Sequence, residues 1–230
     1  MTKILALDTS TDACSVALEV AGERSEIFRV IPRRHTHELL PMVEQILAEA
    51  QLKVQDLDAI AFGRGPGSFA GIRIATGVAQ GLAFAADLPV VPVSSLAALA
   101  QGYYRNTADA NSQIVTAFDA RMNEVYWGVY KIEAGVATLA VAEAVCAPSD
   151  LLFDFDQAYI GVGSGFNYRE QMPEQLLSYL ASVTEDEHPH SLDILAIASQ
   201  QYALGNTVSA EEAQPVYLRN QVTWKKKDQQ

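Results

Sequence analysis

Lys3-Ile4-Leu5-Ala6-Leu7-Asp8-Thr9-Ser10-Thr11 is an apolar run that ends on a carboxylate and a hydroxyl-rich turn. Two further runs follow it, Cys14–Val20 and Glu23–Val30. Apolar and β-branched residues bounded by turn-forming clusters read as three short strands, and Ala21-Gly22 marks a tight hairpin between the last two. Working outward, a helix is predicted from about His35 to Ala50. Its residues Leu39, Leu40, Val43, Ile46, Leu47 and Ala50 recur at the three-and-four spacing of one helical face. Asp58–Gly63 reads as a buried strand, and Arg64-Gly65-Pro66-Gly67-Ser68 as a turn into a second helix, Phe69 to Ala86. A strand at Pro89–Val93 precedes a third helix, with Ser94 or Ser95 as its N-cap. The first hundred residues therefore run β-β-β-α-β-α-β-α.

The polar stretch Arg105–Ser112 interrupts this pattern and reads as a linker. Strands resume at about Gln113–Phe118, Asn123–Ile132 and Val136–Val145, with Gly135 turning the last two into a hairpin. A shorter strand follows at Ala158–Val162. Ser191–Leu204 has the pattern of a helix capped by Ser191, with Asp193 in its first turn. Three strands opening each half imply a duplicated α/β architecture in two lobes, residues 1–104 and 105–230, with the segment from Pro215 crossing back onto the first lobe.

A chain of 230 residues with 49% apolar and 19% charged residues has enough apolar surface for one large or two small domains without covalent staples. It has no run of about 18 apolar residues and no basic start followed by an apolar core, which predicts neither a membrane span nor a signal peptide and a cytoplasmic location. Cys14 and Cys146 lie in apolar runs without a neighbouring His or Lys and are expected as reduced thiols. The net charge of −12, from 28 acidic and 16 basic residues, argues against gripping a nucleic acid unaided. Lys225-Lys226-Lys227 runs the other way, and reads as a solvated tail or as one that touches a phosphate or a partner.

Four motifs bear on chemistry. Asp8-Thr9-Ser10-Thr11 stands where actin-like and sugar-kinase (ASKHA) proteins carry an Asp-x-Gly-Thr loop whose backbone N–H groups cradle a phosphate. Glycine matters there because the backbone must come close, and this chain has Ser10 instead. Gly65-Pro66-Gly67-Ser68 lacks the endings of a Walker or dinucleotide loop and is expected to be a structural turn that aims the second helix. That helix is rich in small residues, with Gly77 and Gly81 four apart. Since glycine within a helix costs about 1 kcal/mol against alanine, such a stripe implies close approach of another backbone, in the same chain or in a partner. Gly161-Val162-Gly163-Ser164-Gly165 is a glycine-rich turn, of the kind that packs under adenosine in ASKHA proteins or simply joins strand to helix. The histidines make no metal site: His35 and His37 are two apart, and His37-Glu38 meets Pro41 where a zincin has its second histidine.

Several segments together resemble the TsaB (YeaZ) family. They are Ile4–Thr11, Leu39-Leu40-Pro41, Gly65-Pro66-Gly67-Ser68-Phe69-Ala70-Gly71-Ile72-Arg73-Ile74, Pro92–Leu96, Asp119-Ala120-Arg121-Met122-Asn123-Glu124-Val125-Tyr126 and Pro215-Val216-Tyr217-Leu218-Arg219. They span nearly the whole chain in order. The resemblance implies a two-lobed ASKHA fold (actin, sugar kinase and Hsp70-like, RNase H-like). It implies a non-catalytic paralogue of TsaD, the subunit that attaches the threonylcarbamoyl group to adenosine 37 of ANN-decoding tRNAs. TsaD carries two metal-holding histidines where this chain has Ser95 and Leu99, and a glycine-rich second phosphate loop where this chain reads Phe118-Asp119-Ala120-Arg121-Met122. No catalytic, metal or cofactor residue is then expected. Asp8, Ser10, Gly161, Gly163 and Gly165 remain as vestiges of nucleotide loops, with room left for a nucleotide at a partner interface. The implied partners are TsaD and the accessory ATPase TsaE, with a homodimer in their absence, tRNA engaged only through the complex, and TsaC supplying threonylcarbamoyl-adenylate. The implied partner surface lies on the first two helices, at Leu39, Leu40, Val43, Ile46, Leu47, Ile74, Gly77, Val78 and Gly81. Two rival readings are an active ASKHA-type ATPase or kinase, favoured by Asp8 and the Gly161–Gly165 turn, and a glycoprotease-like metallopeptidase.

Overall fold

Alternation in β1 (Lys3–Asp8) sends Ile4 and Ala6 to one side and Leu5 and Leu7 to the other, and all four are fully buried. A strand buried on both faces belongs at the centre of a covered sheet. The computed structural model, which describes residues 2–154 and 156–219, has it there. The first sheet has the order β3-β2-β1-β4-β5, with β2 (Ala13–Val20), β3 (Glu23–Val30), β4 (Ala59–Gly63) and β5 (Val90–Val93). The first three strands are antiparallel and the last two run parallel to β1. Ala21 and Gly22 have φ of +56° and +88°, the two positive values of a type I′ hairpin turn.

The Leu5 and Leu7 face, with Val16, Leu18, Ile60 and Phe62, is covered by α1 (His35–Glu49) and α2 (Phe69–Ala86). This corrects one expectation. Leu39, Val43, Ile46 and Leu47 of α1 are at most 6% exposed and pack onto the sheet, so they are core and not partner surface. The apolar stripe of a helix marks the face that buries, and each such side chain gains about 1.5–3 kcal/mol on burial, which the uncovered sheet face supplies first. Of the α1 set only Leu40, 46% exposed, looks outward. α2 spans 18 residues at a mean hydropathy of 1.3, long and apolar enough to cross a membrane by length and composition. Here its Ile72, Ala75, Ala79 and Ala83 lie buried within the fold.

The opposite face is lined by Ile4 and by small residues, Ala6, Ala17, Ala59 and Ala61, and α5 (Ser191–Ala203) packs closely on it. The chain thus returns to the first lobe at Ser191, well before Pro215, and α5 does not belong with the second lobe. Ser15 and Glu26 dock it. The Ser15 hydroxyl accepts from the Ser191 N–H at 3.0 Å, and Glu26 Oε1 accepts from the Leu192 N–H at 3.1 Å, which satisfies the orphan donors of the helix start.

The polar stretch is also corrected. α3 (Ser95–Thr107) runs through Arg105, Asn106 and Thr107, so the connection between the sheets is 108–112 and position 104 lies inside a helix. The Arg105 fork donates to both oxygens of Asp193 at 2.8 and 3.1 Å, a tertiary partner that makes a charged residue fit a packed helix. Ser94 is the N-cap, accepting from the Leu96 and Ala97 N–H groups.

The second sheet repeats the first: β10-β9-β6-β7-β8, with β6 (Gln113–Arg121), β7 (Glu124–Glu133), β8 (Val136–Cys146), β9 (Tyr159–Val162) and β10 (Leu180–Thr184). Three strands are antiparallel and two parallel, as before. α3 fills the space between α5 and this sheet. β10, the short α4 (Glu174–Tyr179) and the 3₁₀ turns at Ser164–Gln171 were not expected from sequence. Leu-Ala-Ser-Val-Thr is a half-exposed edge strand without alternation.

Candidate functional site

Asp8 ends β1 with its side chain 1% exposed, lodged over Gly63 of β4, where a Cβ would stand 1.8 Å from Asp8 Oδ2. Its Oδ1 accepts from both the N–H and the hydroxyl of Ser10, each at 2.8 Å, and Oδ2 faces the Ser95 hydroxyl at 3.4 Å. Burial pushes the Asp8 carboxyl up to about 6, against the pull of those hydrogen bonds. The loop is closed from outside as well. The Ser10 carbonyl accepts from the Ser68 N–H at 2.7 Å, and Thr9 Oγ1 donates to the Gly71 carbonyl at 2.7 Å. Gly67 and Gly71 allow that approach, since a Cβ would meet the Ser10 carbonyl oxygen at 2.4 Å and that of Thr9 at 1.9 Å. The Gly65–Ser68 turn therefore locks the first loop onto the start of α2.

The glycine-rich turn in the second lobe is packed by protein atoms. A Cβ on Gly161 would strike the Phe166 ring at 2.8 Å, and one on Gly165 would strike Ala117 Cβ at 2.5 Å. Gly163, at φ +111°, lies against the Ala117 carbonyl and the Leu99 side chain. Leu99 is 2% exposed within the central apolar cluster. Of the two positions compared with metal histidines, one thus hydrogen-bonds the buried carboxyl and the other fills space under the glycine turn.

The loop between β6 and β7 holds Arg121, Met122 and Asn123 at φ of +57° to +62°, three successive non-glycine residues in the left-handed region. Asp119 Oδ1 accepts from the Arg121 N–H at 2.7 Å and from the Tyr168 hydroxyl at 3.2 Å. The loop turns its carbonyls to a cation. Arg219 donates to the oxygens of Ala120 and Arg121 at 3.1 and 3.4 Å and pairs with Glu124. Two residues earlier Tyr217 accepts from Arg73 Nε at 2.8 Å, and Val216 donates to the Arg64 carbonyl. The C-terminal segment is a strap from the first lobe to the second. From sequence the segment from Pro215 was expected to cross back onto the first lobe, and the reach of Arg219 to the loop of the second lobe was not foreseen.

The fold class implies a nucleotide between the lobes, and the donor set here does not match a phosphate cradle. The Ser10 N–H is turned to Asp8, and the second loop offers carbonyl oxygens. Among the described residues no group of three or more His, Cys, Asp or Glu stands together as metal ligands. His35 faces the Ala13 carbonyl, His188 the Thr11 hydroxyl and His190 the Glu26 carboxylate, each in a separate place.

On the outer face of α2, Gly77 and Gly81 are exposed and Ile74 and Val78 half-buried. A Cβ built on either glycine meets nothing within 4 Å among the described residues. Phe69 and Phe84 on the same helix are 60% and 73% exposed.

Two lobes built on repeated sheets of three antiparallel and two parallel strands, with an acidic residue closing the first strand between them, define an ASKHA-type protein. Comparison with known proteins narrows this. The family model described as TsaD, tRNA N6-adenosine threonylcarbamoyltransferase, matches residues 29–227. The "tRNA threonylcarbamoyladenosine biosynthesis protein TsaB" of Haemophilus influenzae is 43% identical over 97% of this chain and 96% of its own length. That of Escherichia coli is 42% identical over 97% of each. The structure of YeaZ from Pseudomonas aeruginosa superposes with a TM-score of 0.90 at 47% identity, covering 95% of this chain and all of that one. The chain belongs to the TsaB (YeaZ) family.

Proposed function

We propose that this chain serves the biosynthesis of threonylcarbamoyladenosine in tRNA as a non-catalytic subunit. It supports threonylcarbamoyl transfer to adenosine 37 through pairing with TsaD and assembly with TsaE. The observation that carries the partner role is the pair Gly77 and Gly81. Each costs a helix about 1 kcal/mol against alanine, and neither has a packing neighbour within the described chain, so the close approach they permit is to a second polypeptide. Leu40, Ile74 and Val78 join them on that surface, which serves a homodimer when the partner is absent. The non-catalytic reading is supported by the self-satisfied Asp8–Ser10 loop and by Ser95 and Leu99 in place of metal-binding side chains.

The test pairs stability with association. Gly81→Leu should fold with a melting temperature close to wild type yet bind TsaD roughly thirtyfold more weakly, as expected when about 2 kcal/mol is lost at an interface centre. Wild-type affinity in a well-folded Gly81→Leu chain would sink the assignment. ATP turnover by the isolated chain that Asp8→Ala abolishes would sink the non-catalytic reading.

A further inference from the structure

We propose that the cavity between β5, β8 and the end of α5 binds a small zwitterion of the α-amino-acid class, its carboxylate on Arg64 and its ammonium on Glu143. The cavity measures about 470 Å³, within the size of small-molecule sites. Pro92, Ala97, Leu139 and Ile197 give it apolar walls, and Gln201 and Asn206 a polar rim.

The two charged groups are fixed at the root and unfinished at the tip. Glu143 has a side chain only 8% exposed. Its Oε1 takes the hydroxyls of Ser94 and of Tyr130, the latter at 2.6 Å. Its Oε2 faces Arg64 Nη2 at 3.7 Å, too far for a hydrogen bond. Arg64 is anchored through its backbone, N–H to the Val93 carbonyl and carbonyl to the Val216 N–H, both at 2.8 Å. Its guanidinium has no closer carboxylate among the described residues. Glu143 Oε2 and the Arg64 fork make no hydrogen bond to the described residues and line the cavity, so a ligand there can take the place of water on both.

Their charges choose the ligand. The pair sums to zero, so an anion alone meets Glu143 and a cation alone meets Arg64. A molecule carrying both charges side by side satisfies both, and the adjacent ammonium and carboxylate of one amino acid match two groups this close. Glu143 is held before the ligand arrives by the Ser94 and Tyr130 hydroxyls, so only the Arg64 side chain has to be ordered on binding. The site uses no residue of the α2 surface and stands independently of the partner role.

Calorimetry and thermal-shift measurements on the full chain near neutral pH, against a panel of free L-amino acids, test this. At least one should bind, and its N-acetyl and amide derivatives should bind at least tenfold more weakly. Glu143→Gln and Arg64→Met should each cost tenfold or more. Leu139→Trp, at the half-exposed rim, should block binding without touching the charged pair, so the derivatives and this variant decide the matter even if the charge variants fail to fold. No binding by any amino acid up to about 10 mM, equal binding by the acetylated forms, or wild-type affinity in folded Glu143→Gln overturns the proposal.

Discussion

Asp8→Asn should alter the pH dependence of stability more than stability at any one pH. The Asp8 carboxyl is buried and its pKa stands at about 6, raised from 3.8 chiefly by burial. The folded protein therefore holds this proton more tightly than the unfolded chain does. Between those two values the folded state binds more protons, so stability falls as pH rises. The contribution is fully present below 3.8 and lost as pH rises through about 6. At about 1.36 kcal/mol per pKa unit, the loss amounts to about 3 kcal/mol. Asparagine has no proton to release, and its carbonyl oxygen can still accept from the Ser10 N–H. The stability of Asp8→Asn minus that of wild type should thus rise by about 2.4 kcal/mol between pH near 4 and pH near 7.5. Urea unfolding at several pH values measures this. With a slope of about 1–3 kcal/mol per molar, the midpoint difference should widen by about 1 M or more. Other titrating groups appear in both proteins and cancel. A difference that stays flat with pH would refute the argument, because the buried charge would then carry no penalty.

Gly71→Ala should destabilise the first lobe by about 1–3 kcal/mol, because its Cβ would stand 1.9 Å from the Thr9 carbonyl oxygen, and an unchanged melting temperature would show that the loop yields freely. Arg219→Ala removes the donors to Ala120 and Arg121 and the ion pair with Glu124, so hydrogen exchange at residues 121–124 should quicken; unaltered exchange would mean the loop holds without the strap. The isolated chain, with a net charge of −12, should bind tRNA weakly at physiological salt and only through Lys225–Lys227, which lies outside the described residues. Tight binding that survives removal of that tail would contradict this.

The strands β1 to β5 and helices α1 to α3 were legible because local patterns carried them. Alternating or continuous apolar runs, the Ala21-Gly22 hairpin and the Ser94 cap each act within a few residues. The second half was harder. β10 has neither alternation nor a strong apolar run, and the 3₁₀ turns after Gly163 are shaped by Phe166 and Ala117, which packing brings there. The polar stretch at Arg105 looked like a linker because its partner, Asp193, lies far away in sequence.

By itself the sequence determined the order of elements through the first hundred residues, the two-lobed class and the turn at Gly65–Ser68. All of these depend on residue identity and short-range period. Only the tertiary structure decided which apolar faces are spent inside the chain. It buried Leu39, Val43, Ile46 and Leu47 against the first sheet while leaving Gly77 and Gly81 open. Helical period tells that a face is apolar, and what covers that face depends on contacts between residues far apart in the chain.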